Sequence, residues 1–150
     1  MKKRLKFWVI LGISLCVLFT TACGVVNEES NLEEGMLYQD FLTAYEDAIY
    51  IGKYALISID NTTNTVVTFD DDFTKVEIVQ HFEKKVPTEA DFSNVKDGMS
   101  VCDVIEIVGM PLGRFTSGMI SLDYESSEEM HFRIYFGGGI NLKVTGVKKI

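Results

Sequence analysis

Two stretches of this chain alternate apolar and polar residues with a period of two, and the breaks between their runs are short. In the first, residues 54–59 are apolar and β-prone and residues 65–69 are β-branched and aromatic. Val76, Ile78, Gln80 and Phe82 then alternate with Lys75, Glu77, Val79 and His81. In the second, Ile120, Leu122 and Tyr124 alternate with polar residues, Phe132, Ile134 and Phe136 alternate with His131, Arg133 and Tyr135, and Leu142, Val144 and Val147 follow. The breaks are turn chemistry: Asp60-Asn61-Thr62-Thr63-Asn64, Asp70-Asp71-Asp72, residues 125–129 and Gly137-Gly138-Gly139. Connections this short join antiparallel neighbours, because a parallel crossover needs a dozen or more residues. Each stretch therefore predicts a three-stranded meander. The period also sets a register in which Val76, Ile78 and Phe82 share the buried face, since a one-residue slip would hand them all to water.

Helical periodicity precedes both meanders. Leu37, Phe41, Tyr45 and Ala48 recur at spacings of four, four and three, with Tyr38, Leu42 and Ile49 alongside. This predicts an amphipathic helix over 37–52, stopped by Gly52. Its aromatics Tyr38, Phe41, Tyr45 and Tyr50 read as core packing in preference to a ligand stack. Residues 84–94 form a connector broken at Pro87, with a short helical turn bringing Phe92 and Val95 onto the core. Residues 96–113, "KDGMSVCDVIEIVGMPLG", carry both ends of a second helix. Ser100 and Asp103 make a capping box, Met99 and Val104 a hydrophobic staple, and Val101, Val104, Ile105 and Val108 the buried stripe. Gly109 turns the backbone and Pro111 prevents continuation. The expected class is α+β, with helices packed on antiparallel meander sheets.

The N-terminus is of another kind. Lys2, Lys3, Arg4 and Lys6 precede an apolar run of about 15 residues, shorter than the 20 or so that span a bilayer. A basic start, a short apolar middle and small residues at its end describe a secretory signal peptide. The end, Phe19-Thr20-Thr21-Ala22-Cys23-Gly24, resembles the lipobox of bacterial lipoproteins, with Thr20 where a leucine-like residue is usual. That resemblance implies removal of residues 1–22, diacylglyceryl attachment to Cys23, and an extracytoplasmic protein on the cell membrane. Two chains suit the physics, because one acyl chain anchors only marginally. A plain secreted protein and an uncleaved anchor are the alternatives. Loss of four cations with the leader takes the formal charge from -8 to -12. That balance argues against nucleic acid, which needs a basic surface. Residues 23–36 read as an acidic tether and 37–150 as one α+β domain. With Cys16 removed and Cys23 lipidated, Cys102 has no intrachain partner, so stability rests on the core.

The order of elements from residue 92, headed by Gly98, Met99, Ser100, Val104, Gly109 and Pro111, resembles the small α+β module of BamE/SmpA/OmlA lipoproteins and of β-lactamase-inhibitor-protein repeats. The likeness covers about residues 92–147, a little over a third of the chain. It implies the fold and leaves the task open. Residues 37–86 share its element order with little of its sequence, so a divergent second copy is one reading of them.

Candidate chemistry is sparse. Asp70-Asp71-Asp72 lacks the alternating ligands, glycine and distal glutamate of a calcium loop. His81, His131 and Cys102 have no partners at zinc-ligand spacing, and the histidines fall on polar strand faces. Ser117-Gly118 lacks a nucleophile elbow, and Gly137-Gly138-Gly139 is followed by no phosphate-binding helix. These features predict a non-enzymatic protein-binding or envelope-assembly module with no cofactor and no metal. Arg114, Arg133 and Tyr135 are the candidate contacts with another envelope or secreted protein. A small-ligand receptor or a hydrolase-inhibitor-like surface protein is the alternative.

Overall fold

The chain builds two four-stranded antiparallel sheets, each entered from helical structure. The structure, a computed structural model, describes residues 32–116 and 118–150. The expected signal peptide, Cys23, most of the expected tether and Ser117 lie outside the described residues. Helix α1 (Tyr38–Ala44) leads into β1 (Ile49–Ile51), β2 (Tyr54–Ser58), β3 (Thr63–Phe69) and β4 (Val76–Glu83). Helices α2 (Glu89–Asn94) and α3 (Val101–Val108) lead into β5 (Gly113–Thr116), β6 (Ile120–Glu125), β7 (His131–Gly137) and β8 (Lys143–Lys149). Strand order follows sequence order in both sheets, so both are meanders. The protein is α+β, and its two halves repeat one plan of helix followed by four antiparallel strands. Among the described residues no helix is long and apolar enough to cross a membrane.

The first sheet is covered on both faces. Ala55, Ile57, Val67, Phe69 and Val76 face Phe41 of α1 in one core. Tyr54, Leu56 and Val66 face the other way, into a larger core shared with α2, α3 and the second sheet. This double burial is why residues 54–57 read as a continuous apolar run. The aromatics of α1 are packing groups. Phe41 is fully buried, and its ring lies 5.0 Å from Phe69 and 4.8 Å from Tyr45.

Helix α1 is about half the expected length. It ends at Ala44, where Tyr45 leaves helical geometry at φ -128°, ψ 60°. The β-branched pair Ile49 and Ile51 instead brackets a strand that pairs with Leu56, Ala55 and Tyr54. Burial of Ile51 and a strand partner override the helical spacing. Gly52 is therefore a hairpin glycine, at φ +57°, in the two-residue turn to β2. A Cβ there would stand 2.8 Å from Leu142 Cδ1, so the same glycine lets the two halves close on each other.

The expected register of β4 is corrected by a bulge. Val76 pairs with Phe69 and Ile78 with Thr68, leaving Glu77 as an extra residue. After it the alternation inverts. Val76 and Val79 share the α1 side, Phe82 packs into the larger core, and Ile78 is 42% exposed. Residues 32–36, expected to belong to the tether, are part of the fold: Leu32 and Met36 pack on the α1 core, and Gly35 N donates to Val76 O at 2.8 Å.

Helix α3 has the limits its sequence announces. Ser100 Oγ accepts from Asp103 N, and Asp103 Oδ2 accepts from both Ser100 N and Ser100 Oγ at 2.7 Å. Val101, Val104, Ile105 and Val108 are fully buried, each stabilising the fold by about 1.5–3 kcal/mol. Gly109 ends the helix at φ +74°, ψ -156°. Before it, α2 is capped by Asp91, which accepts from Thr88 N and Oγ1, and Phe92 stacks on Phe132 at 4.0 Å. The second sheet has one strand more than expected. Residues 113–116 are short, exposed and flanked by glycine, so they carry no period-two signal.

Candidate functional site

Cross-strand register places five side chains together on the outward face of the second sheet. Phe115 on β5 is opposite Ser121 on β6, and Ser121 is opposite Tyr135 on β7. Asp123 is opposite Arg133 in the same two strands. Residues directly opposite share a face, so Phe115, Ser121, Asp123, Arg133 and Tyr135 form one surface. Asp123 holds Arg133 through two parallel bonds, Nε to Oδ1 at 2.6 Å and Nη2 to Oδ2 at 2.8 Å. The guanidinium lies over the Phe115 ring at 3.9 Å. The Asp123 carboxylate, which accepts both bonds, pushes the Arg133 pKa up, with a smaller contribution from Tyr135, so the group stays charged. Ser121 Oγ donates to Phe115 O at 3.1 Å and fixes the strand under the ring. The fork geometry orients Arg133 as a point charge cannot, and the stacked ring attracts the guanidinium through its negative face. Phe115 itself remains 41% exposed, and Met119, in the turn after β5, 58%.

The structure brings Arg133 and Tyr135 together and sets Arg114 apart. Arg114 is opposite Leu122, on the other face of β5. Its Nη1 donates to Tyr50 O at 2.8 Å and clasps β5 to β1, where the two sheets meet edge to edge. Phe115 and Asp123 are the residues that the sequence reading missed. Asp123 was within reach, since the polar phase of residues 120–125 sets it against Arg133 once both strands are drawn. Phe115 was hidden with its strand.

Cys102, His81, Asp70 and Asp71 are engaged within the fold. His81 Nδ1 lies 2.9 Å from Thr65 Oγ1 in the first sheet, whereas His131 stands opposite Glu125 in the second. Among the described residues no three His, Cys, Asp or Glu side chains are grouped to hold a metal ion. The Cys102 thiol donates to Gln80 Oε1 at 3.0 Å, and burial, with the Asp103 charge, pushes its pKa up. Asp70 caps its own turn by accepting from Thr74 N and the Thr74 hydroxyl, and Asp71 pairs with Lys53 at 2.8 Å. Ser117 lies outside the described residues.

Two concavities are lined wholly by described residues. A cleft of about 480 Å³ lies between the α1–β1 connection, the end of β2 and Met110-Pro111, with Lys84 at its rim. Lys84 Nζ donates to Ser58 Oγ at 3.0 Å. A second groove of about 510 Å³ follows the end of β4, lined by His81, Phe82, Lys85 and Glu106 among others. No protein-family model matches the chain, and no curated protein matches it.

Proposed function

We propose that this protein is a lipid-anchored, extracytoplasmic, non-enzymatic binding module. In this reading it is held to the cell membrane through Cys23 and engages another envelope or secreted protein with the outward face of its second sheet. The observation that carries the reading is the Phe115–Arg133–Asp123–Tyr135 constellation. An aromatic ring left open, with a guanidinium locked over it, is a preorganised anchor of the kind that dominates protein interfaces, where Arg, Tyr and other aromatics are enriched. The leader and the Thr-Thr-Ala-Cys segment support the anchor. The two-meander α+β plan and the Gly98–Pro111 signature support kinship with the BamE/SmpA/OmlA and β-lactamase-inhibitor-protein modules, and the repeated plan supports residues 37–86 as a divergent second copy. A photoreactive phenylalanine analogue at position 115, activated in intact membranes, tests the reading. One reproducible crosslinked protein, lost on Arg133→Ala, is expected. No crosslink, or an undiminished one in Arg133→Ala, would count against this face.

The cleft beside Met110 favours a second reading, a small-ligand receptor. Its lining sets Ala48, Ile49, Leu56, Ile57 and Met110 beside Lys84, Glu46 and Asp47, a mix that suits a small zwitterionic amphiphile. Stabilisation of the fold by a zwitterionic single-chain amphiphile, lost in Lys84→Ala and in Glu46→Ala, would favour that reading over the first.

A further inference from the structure

Among the described residues, strand β4 has one strand neighbour, β3, and its other edge is open over part of its length. At the start of β4 the edge is taken: Val76 O accepts from Gly35 N, and Val76 N donates to Met36 O, both at 2.8 Å. At the end, Lys84 N donates to Thr62 O at 2.7 Å, which sets the phase of the β3–β4 ladder. Ile78, Gln80 and Phe82 thus bond to β3, and the N–H and C=O groups of Val79, His81 and Glu83 point to the open edge. The open run, "IVQHFE", is rich in β-forming residues, contains neither proline nor lysine, and leaves Ile78 exposed. Edges in monomers are blunted by lysine, proline, bulges or cover. Here the bulge and the residue 35–36 strap protect the first turn of the edge and stop at Val76.

We propose that β4 pairs with β4 of a second copy of this chain, antiparallel, about a two-fold axis at His81. The register follows from the open run itself. Its outward-pointing residues are Val79, His81 and Glu83, so His81 is their midpoint, and only an axis there uses all three in both copies. Val79 then faces Glu83 of the second copy and His81 faces His81. Each of these outward pairs exchanges two backbone bonds, about six in all. On the other side of the ribbon Ile78 lies against the aliphatic stem of Lys84, and Gln80 against Phe82. The next pair outward sets Glu77 against Lys85, so unlike charges meet at both ends. An axis at Val79 would demand the edge of Val76 that Gly35 and Met36 already occupy. This pairing joins eight strands across two copies and leaves the second-sheet face of each copy unused. It is therefore independent of the heterologous partner proposed above.

The test is disulfide trapping of the full chain in membranes, with Cys102→Ser as background. His81→Cys sets two thiols directly opposite, with Cα atoms about 5.5 Å apart, inside the range a disulfide spans. Val79→Cys alone leaves its copies about 14 Å apart along the strands. Val79→Cys co-expressed with Glu83→Cys restores an opposed pair. The expected result is a dimer on mild oxidation for His81→Cys and for the mixture, and none for Val79→Cys alone or for the background with its leader cysteines. Adding Ile78→Lys, which opposes two lysines, should cut the trapped fraction at position 81 at least about three-fold. Monomer throughout, equal trapping at 79 and 81, or indifference to Ile78→Lys would overturn the proposal. None of these outcomes bears on photocrosslinking from position 115.

Discussion

Gly109 closes α3 with a backbone that few other residues tolerate, and replacing it with alanine separates two costs that the structure makes distinct. Its φ of +74° and ψ of -156° lie where glycine alone is comfortable, at about 1–3 kcal/mol for any other residue. A Cβ there would also stand 2.8 Å from Lys85 O, a main-chain atom that cannot swing away. Overpacking of this kind costs about 1–3 kcal/mol more. Gly109→Ala should therefore destabilise the fold by about 2–6 kcal/mol, a large part of the 5–15 kcal/mol typical of a domain. Gly98 is the control, because its φ is +86° and a Cβ added there meets nothing within 4 Å. Gly98→Ala should cost only the backbone part, about 1–2 kcal/mol. Urea unfolding of the detergent-solubilised full chain, followed by far-ultraviolet circular dichroism, measures both. Equal losses for the two variants would show that the connector does not lie against the end of α3, and the packing described here would be wrong.

Ser100→Ala removes the α3 capping box and should cost about 1 kcal/mol in the same unfolding assay. Asp60, Asp70, Asp91 and Asp103 have pKa values held below the usual carboxylate range by hydrogen bonds, from Thr62, Thr74, Thr88 and Ser100 in turn. Their folded values lie below the unfolded one, so their stabilisation is fully present above about pH 4 and is lost as pH falls through the folded values. Unfolding midpoints should be flat from pH 7 to 5 and fall below pH 4, and the fall should be smaller in Ser100→Ala. The Tyr124 hydroxyl is buried, with no hydrogen-bond partner among the described residues, so Tyr124→Phe should leave the midpoint unchanged or raise it. A loss above about 1 kcal/mol would contradict that. Burial pushes the Cys102 thiol pKa up, so iodoacetamide should modify it far more slowly at pH 7 in the folded protein than in urea.

Much of the fold is legible where local chemistry and tertiary demand agree. Helix α3 is the plainest case: its box, stripe and terminal glycine all work within one turn of chain, and each is found where the residue types place it. Strands β6 and β7 alternate because one face meets the core and the other meets water. Legibility fails where a partner distant in sequence decides. Residues 45–51 carry helical spacing, yet Ile49 and Ile51 are drawn into a sheet by residues 54–56. The Glu77 bulge is invisible in a pattern that alternates cleanly through it, and it moves Ile78 from the expected core to the surface. The candidate site shows the same division. Arg133 and Tyr135 could be placed on an outward face from phase alone. The companionship of Phe115 depends on β5, a strand held by its neighbour more than by its own composition. Arg114, one residue away, has the opposite phase and serves the junction of the sheets.

Where the chain resides decides whether the binding face can serve, because a face for an envelope partner is useful only outside the cytoplasm and near a bilayer. Growth with an alkyne-bearing fatty acid, followed by fluorophore coupling and electrophoresis, measures this in one step on the full chain and on Cys23→Ala. A labelled, membrane-pelleting band for the natural sequence that loses its label in Cys23→Ala is the expected result. An unlabelled natural protein, or equal labelling of both, would contradict the anchor and with it the placement of the binding face.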